Sequence, residues 1–249
     1  MLKITVITAV FNSYKTVGQA IESVLGQSYH AVDLIVIDGA STDGTVELLQ
    51  PFRPQISVFI SERDQGIYDA LNKGIKYATG DVVGFLHADD LFENTGVLSK
   101  VAEAFEDSSV DAVYGDLVYV QKDDTSKATR YWRSGLYNDE SLLRGWMPPH
   151  PTFYVRRSVY ERLGGFDCRY RISADYDTVL RFLAVSKIRA VYIPEVMVRM
   201  RNGGISNRSL KTIIRKSFED FEILRRNKVG GLWTLIQKNL RKVNQFWGT

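Results

Sequence analysis

Four short runs of almost uninterrupted apolar residues, set out over the first third of the chain, leave it few architectures to choose from. Ile4–Val10, Leu34–Asp38, Ile56–Ser61 and Val82–Leu86 are rich in Val and Ile and lack polar alternation, the pattern of strands buried on both faces. Between them, Thr16–Leu25, Thr45–Leu49 and Tyr68–Ala78 carry helical spacing. In the first of these, Val17, Ala20, Ile21, Val24 and Leu25 fall at i, i+3, i+4, i+7 and i+8, which makes one apolar stripe. Strands alternating with helices predict an α/β fold with a mostly parallel central sheet flanked by helices. The second half is less regular. Ala112–Val120 and Val191–Ile193 read as strands, Ala174–Leu183 as a helix, and Leu210–Arg226 and Leu232–Trp247 as two more helices separated by Gly230-Gly231.

In an open parallel sheet, ligands bind outside the carboxyl ends of the strands. The residues there are Phe11-Asn12, Asp38-Gly39, Ser61–Gly66 and His87–Asp90, and three of these four ends carry Asp. Adjacent carboxylates such as Asp89-Asp90 repel each other unless a cation sits nearby. A hard divalent ion held by one or two carboxylates and substrate phosphates is one answer, and an N-cap at Asp90 is the other. Asp43, with Glu47 in the next turn, suits a helix cap, whereas Asp38 stands directly at a strand end. Asp175 and Asp177 are two residues apart, so on a helix they diverge by about 200° and only one can face a given site.

Several classes are excluded by what is missing. No Gly-x-Gly-x-x-Gly turn follows the first strand, which argues against a dinucleotide-binding dehydrogenase, and no Gly-Lys-Ser/Thr phosphate loop is present. The single cysteine, Cys168, cannot form an internal disulfide. No run approaches the roughly 20 apolar residues of a membrane span, and the N-terminus lacks signal-peptide features, so a cytoplasmic protein is expected. Charge is uneven. From Arg208 onward ten Lys/Arg face three acidic residues, while the remainder holds 22 basic against 26 acidic. A mildly acidic body with a basic tail points to an anionic partner surface. With no nucleic-acid motif in the chain, a membrane is the expected partner and no nucleic acid is. In Leu232–Trp247 the residues Leu232, Trp233, Ile236, Leu240, Val243 and Trp247 form an apolar stripe, with Lys238, Arg241 and Lys242 mostly off it. Such a helix suits a bilayer interface, and equally a face of the catalytic body or of a second subunit.

The series TAVFN (8–12), VIDGASTDGT (36–45), GDVVGFLHADD (80–90) and GGFDCRYRISADYDTVLR (164–181) resembles family 2 glycosyltransferases of the GT-A fold, in particular bacterial members that build cell-surface polysaccharides. The resemblance runs from residue 3 to about residue 205. It implies a catalytic domain over 1–205, with a donor-binding half near 1–110 and an acceptor half near 111–205, and a basic helical tail over 206–249. The activity it implies is inverting transfer of a single sugar from a nucleotide-diphosphate sugar, by default a UDP-sugar, to a saccharide or lipid-linked saccharide acceptor. Ala9, Phe11 and Asp38 would line the pocket for the donor's base, with Asp64 beside it. Asp89 would contact the ribose and share the metal site with Asp90, which would bind Mg2+ or Mn2+. Asp175 would be the general base, with Asp177 as the alternative. His150, Asp116 and Arg201 are candidates for acceptor or diphosphate contacts, and Arg199 and Arg201 precede a Gly203-Gly204 hinge suited to a lid.

Two departures from the family pattern stand out. His87 replaces the usual Asp or Asn before Ala-Asp-Asp, and Ala174 replaces the acidic residue before the base. No Gln-x-x-Arg-Trp motif is present, which argues against a processive polymer synthase. The rival readings are a catalytically silent binding subunit and a sugar nucleotidyltransferase, though the latter's Gly-rich, Arg-containing first loop is absent.

Overall fold

The computed structural model describes residues 1–203 and 210–244. The first half follows the sequence expectation closely. Strands β1 (Ile4–Val10), β2 (Val32–Asp38), β3 (Val58–Ser61) and β4 (Val82–Phe85) are joined through helices α1 (Val17–Leu25), α2 (Thr45–Leu49) and α3 (Ile67–Tyr77). These strands pair in parallel in the order β3-β2-β1-β4. Every residue of β1 is buried. Its side chains alternate between two cores: Ile7 and Ala9 face one, Ile4, Val6 and Val10 the other. The stripe of α1 buries Val17, Ala20, Ile21 and Val24, as its spacing requires.

Beyond β4 the sheet becomes mixed, which corrects the expectation of a mostly parallel one. After β5 (Asp90–Phe92) and α4 (Val97–Ala104) come β6 (Ala112–Val120) and β7 (Ala128–Trp132), then α5 (Asp139–Leu143), β8 (Tyr154–Arg156) and α6 (Arg157–Leu163). β9 covers Ala190–Arg201, far longer than the three residues its apolar run suggested. β4–β8, β6–β8, β6–β7 and β5–β9 are antiparallel, and only β6–β9 is parallel. The physical reason lies in the connections. β7 returns from β6 by a short turn and β8 arrives from an irregular Pro-containing segment, and neither needs the crossover helix of a parallel pair.

Helix α7 (Ala174–Val179) continues into a π-helical stretch over Leu180–Val185, where the Ser186 amide donates to the Arg181 carbonyl. Arg181 anchors this stretch. Its guanidinium donates to Asp177, to the carbonyl of Leu163 and to that of Gly165.

The last two helices, α8 (Leu210–Arg226) and α9 (Leu232–Asn244), do not form a detached appendage. Ile223, Leu224 and Val229 are buried in the same cluster as β1 and α7. α9 docks by its polar face. Lys238 is 4% exposed, with its Nζ 2.9 Å from Asp220 of α8 and 3.1 Å from the ring centroid of Tyr176. Gly145 makes this approach possible. It has φ +73°, and any Cβ there would meet the backbone of Lys238. Burial holds the Lys238 ammonium down at about 8, with Asp220 opposing the shift. The apolar stripe of α9 therefore points outward: Leu232, Trp233, Ile236 and Leu240 are all exposed. The side chains of Arg241, Lys242 and Val243, and Trp247 as a whole, lie outside the described residues, as does Gly204.

A buried ion pair is destabilised more by losing one member than by losing both. Lys238→Met alone, or Asp220→Leu alone, should cost about 3–5 kcal/mol in denaturant unfolding, and the double variant should recover most of that loss.

Candidate active site

The parallel register brings the four acidic or aromatic strand ends to one edge of the sheet. Val10 lies beside Asp38, Asp38 beside Ser61, and Ile7 beside Phe85. The loops after β1 and β2 are stitched together. The amide of Asn12 donates to the Ser41 hydroxyl, and the amide of Thr42 donates to the side-chain carbonyl of Asn12. Asn12 and Ala40 both hold positive φ, at 48° and 63°, so this edge stores backbone strain. Phe11 is 62% exposed beside Gly39, and Asp64 is half-buried against the same glycine. A Cβ on Gly39 would strike both side chains. Ala9 lies beneath, at the end of β1. An exposed aromatic face beside a carboxylate can stack and hydrogen-bond a nucleobase.

Asp38, expected to line the pocket for the donor's base, is engaged within the protein. It is fully buried, and it accepts from the Ser41 amide at 3.0 Å, the Ser41 hydroxyl at 2.5 Å and the Ser61 hydroxyl at 2.6 Å. Its hydrogen bonds tie β2 to β3 and shape the turn that carries Gly39 and Ala40. Asp43 has a similar local duty, accepting from the Tyr14 amide and from the amide and hydroxyl of Thr45. The Thr45 hydroxyl, with those backbone amides, pulls its carboxyl below the ordinary range.

The acidic pair sits where β4 gives way to β5. Asp90 is 1% exposed, and neither of its carboxylate oxygens has a hydrogen-bond partner among the described residues. Burial, reinforced by the charge of Asp89, holds its carboxyl well above the ordinary range, with the nearby Arg201 opposing. Arg201 is buried and donates to the Asp89 carbonyl at 2.7 Å and to Gln19. These contacts place it behind the acidic pair, not on a lid. Arg199 is likewise committed, to Glu93 and to the carbonyl of Thr125. Orphaned carboxylate oxygens fit a hard cation. Among the described residues no group of three or more His, Cys, Asp or Glu converges on one. Asp89 and Asp90 could therefore supply only part of a coordination shell, leaving the rest to phosphate oxygens and water.

Two histidines stand next to this pair. The His150 ring stacks on Phe85 with centroids 5.0 Å apart and faces His87 at 5.6 Å. His150 Nε2 and His87 Nδ1 are buried without partners. Burial pushes His150 down to about 4 and lowers His87 too, while the charge of Asp175 favours protonation of both. Both rings are therefore neutral near pH 7 and can donate or accept. Asp116 is elsewhere employed, accepting from the Ser134 amide at 2.7 Å and the Tyr192 hydroxyl at 2.8 Å.

Asp175 and Asp177 part company as the helical spacing requires. Asp177 is buried and held by Arg181 at 2.7 Å and Asn227 at 3.0 Å. Asp175 is half-exposed on the side of the histidines, with the Tyr68 hydroxyl 3.1 Å from its Oδ1. Tyr68 also lies 2.7 Å from the Ile172 carbonyl, and its one proton serves a single acceptor at a time. Burial, then the Asp175 charge, keeps its phenol well above the ordinary range. Tyr68 was missed as a site residue by sequence reasoning, because it sits at an apolar position of the α3 stripe. Ala174 is fully buried against the core, so the position before Asp175 has no room for a charged side chain.

Comparisons with known proteins identify the family and the fold. The family model described as "Glycosyl transferase family 2" matches residues 5–169. A "PGL/p-HBAD biosynthesis glycosyltransferase" of Mycobacterium bovis is 29% identical over 219 residues, covering 86% of this chain and 81% of that protein. An uncharacterized glycosyltransferase of Mycobacterium tuberculosis is 33% identical over 181 residues, covering 72% and 68%. Among solved structures, Staphylococcus aureus TarS 1-349 superposes with a TM-score of 0.67 at 17% identity over 92% of this chain, which spans 65% of that one. A mannosyltransferase from Pyrobaculum calidifontis, in complex with GDP-Man and Mn2+, gives 0.68 at 19% identity, covering 100% of this chain and 76% of its own. Both structural likenesses establish the GT-A fold.

A carboxylate buried without a partner destabilises the empty protein. Asp90→Asn should stabilise the nucleotide-free chain at pH 7 by about 0.5–2 kcal/mol. Because the folded-state carboxyl is raised, its contribution is complete at low pH and is lost as pH rises through the folded value. The gain should therefore vanish near pH 4, which melting curves at the two pH values would test.

Proposed function

This chain belongs to glycosyl transferase family 2, and from that premise we propose that it catalyses inverting, metal-assisted transfer of a single sugar from a nucleotide-diphosphate sugar to an acceptor hydroxyl. The observation that carries the reading is the buried, partnerless carboxylate of Asp90 beside Asp89, at the strand edge that also presents Phe11, Asp64 and Asp175. The nucleobase lies against Phe11 and Asp64, over Ala9 and the turn that Asp38 braces. Asp89 meets the ribose side of the donor. Asp89 and Asp90 would hold Mg2+ or Mn2+, which, when bound, neutralises charge on the leaving diphosphate as a Lewis acid. Arg201 adds a fixed positive charge behind the pair. UDP is the default nucleotide. A TarS structure in complex with UDP-GlcNAc and the mannosyltransferase in complex with GDP-Man represent the two donor chemistries to compare.

The reaction on the protein side follows from Asp175. A sugar hydroxyl is a weak nucleophile near neutral pH, so its proton must pass to a positioned base as the new glycosidic bond forms. Asp175 takes that proton while the bond from the anomeric carbon to the diphosphate oxygen breaks on the opposite face. The anomeric configuration inverts and no sugar–enzyme bond forms. His150 and His87, neutral and partly unpartnered, stand where an acceptor hydroxyl or a diphosphate oxygen would approach.

The acceptor side includes an anionic membrane surface, which suits a lipid-linked saccharide. Among the described residues no helix is long and apolar enough to cross a membrane. The outward face of α9 instead offers Trp233, 69% exposed, with Leu232, Ile236 and Leu240, and Arg225, Arg226 and Lys228 are exposed nearby in sequence. Apolar anchors with basic neighbours suit the interface of an anionic bilayer.

Calorimetric titration with UDP, GDP and dTDP, with and without Mn2+, should find one nucleotide whose binding needs the metal and is abolished by Asp90→Ala. Metal-independent behaviour throughout would favour the silent-subunit reading. Asp175→Asn should lower the transfer rate by about 10²–10⁴-fold with nucleotide affinity unchanged. Joint replacement of Trp233, Ile236 and Leu240 by Ser should abolish co-sedimentation with anionic vesicles and leave the melting temperature unchanged, because none of the three packs inward. Retained sedimentation would remove the membrane from the partners.

A further inference from the structure

The turn that presents Asp175 is not held by its own helix. α7 begins at Ala174, and its N-cap residue, Ser173, makes no side-chain cap. The backbone N–H groups of Arg171, Ile172 and Ser173 all point at one carboxylate, that of Glu219 on α8, at 3.2, 2.9 and 3.1 Å. Glu219 is 7% exposed, and Arg215, one helical turn before it, donates to its Oε1 at 3.0 Å. The Ile172 peptide is gripped from both sides: its N–H by Glu219 and its carbonyl by Tyr68, whose hydroxyl also reaches Asp175. Arg226, two turns on from Glu219 along α8, supplies a guanidinium to Asp167, and Asn227, directly after the helix, donates to Asp177. Charge-assisted bonds from backbone amides to a carboxylate are roughly twice as strong as neutral ones.

We propose that Glu219 is a positioning residue for glycosyl transfer, its carboxylate fixing the Arg171–Ser173 turn so that Asp175 meets the acceptor hydroxyl in line with the donor. The inference rests on Asp175 being the base. It places part of the catalytic apparatus in α8, beyond the residues 5–169 that the family model covers. A carboxylate is required because it accepts on both oxygens. In Glu219→Gln the side-chain NH2 must face either the Arg171 amide and Arg215 or the amides of Ile172 and Ser173, and all of these are donors. Among the described residues, the hydrogen bonds of Asn12 and Asp38 that shape the donor-side loops involve none of residues 171–173.

The test compares Glu219→Gln with Asp175→Asn and with Leu224→Ala, a core truncation on the same helix that touches none of these bonds. Two quantities are read. Amide hydrogen exchange at residues 171–173 should accelerate at least about tenfold in Glu219→Gln, while β1 and β2 stay protected. Nucleotide release from a panel of UDP- and GDP-sugars with Mn2+ should fall at least about tenfold in rate, with nucleotide affinity unchanged, as a misplaced catalytic group predicts. Leu224→Ala should lose stability yet keep its rate per folded molecule. Unchanged exchange at 171–173, or a rate loss in Glu219→Gln matched by Leu224→Ala at equal stability, would overturn the proposal. If Asp175→Asn kept its rate, the base assignment would fail on its own account, and exchange at 171–173 would still decide whether Glu219 holds the turn.

Discussion

Everything at the site depends on β1 being buried on both faces. A strand with no solvent face must be covered by helices on either side, and its neighbours can then pair with it in parallel only through crossover connections. α1 and α3 are those connections, and they deliver the carboxyl ends of β1, β2, β3 and β4 to one edge. Some side chains of the loops at that edge stitch the loops together, and others face outward. Phe11 and Asn12 are exposed where buried β1 gives way to its loop, and Asp64 reaches back to Gly39. The second half of the sheet then folds its mixed strands around the same edge. β9 lays its last residues antiparallel to β5, so that Arg201 comes to rest behind Asp89.

At this edge stability is given up for readiness. Asp90 is buried with unsatisfied oxygens, and two histidines are kept neutral with ring nitrogens lacking partners. Unpartnered buried polar atoms are costly in an empty protein. They make sense where a ligand with complementary charge completes them. Asp38, Asp116 and Asp177 show the contrast, because each is an acidic residue near the site whose oxygens are satisfied by the protein itself. The hydrogen bonds of these three carboxylates brace the fold, whereas both oxygens of Asp90 stay unpartnered.

That distinction is the part sequence could not supply. Apolar periodicity located β1 to the residue and came within two residues at most ends of the other early elements, since a fully buried strand is written as a continuous run. Motif spacing brought Asp89, Asp90 and Asp175 forward. The short strands β5, β7 and β8 carry no comparable pattern. They are three to five residues long and owe their conformation to partners distant in the chain. Most of β9 escaped notice because Pro194 and Glu195 interrupt it and its last four residues alternate apolar with charged. Hydrogen-bond saturation of Asp38 depends on Ser61, the last residue of β3, so a strand-end aspartate looked equally available before folding. Tyr68 entered the sequence reading only as the start of a helical segment; its ring is core, but its hydroxyl emerges beside Asp175.

The tail shows the same limit from the other direction. An amphipathic pattern tells which residues share a face, not which face turns inward. For α9 the usual rule reverses. Thr234 and Lys238 are buried, and the tryptophan-bearing stripe is exposed. The reversal follows from Asp220, a buried carboxylate on α8 that needs a cation, and from Tyr176, whose ring offers the ammonium a π-face. Asp220 adjoins Glu219 in sequence, and Tyr176 adjoins Asp175. One short stretch of α8 thus holds both the turn that carries Asp175 and the helix that turns its apolar face outward. Under the proposed function, an acceptor delivered at a membrane surface would meet Asp175 on a turn held by the same helix that seats the outward-facing stripe of α9.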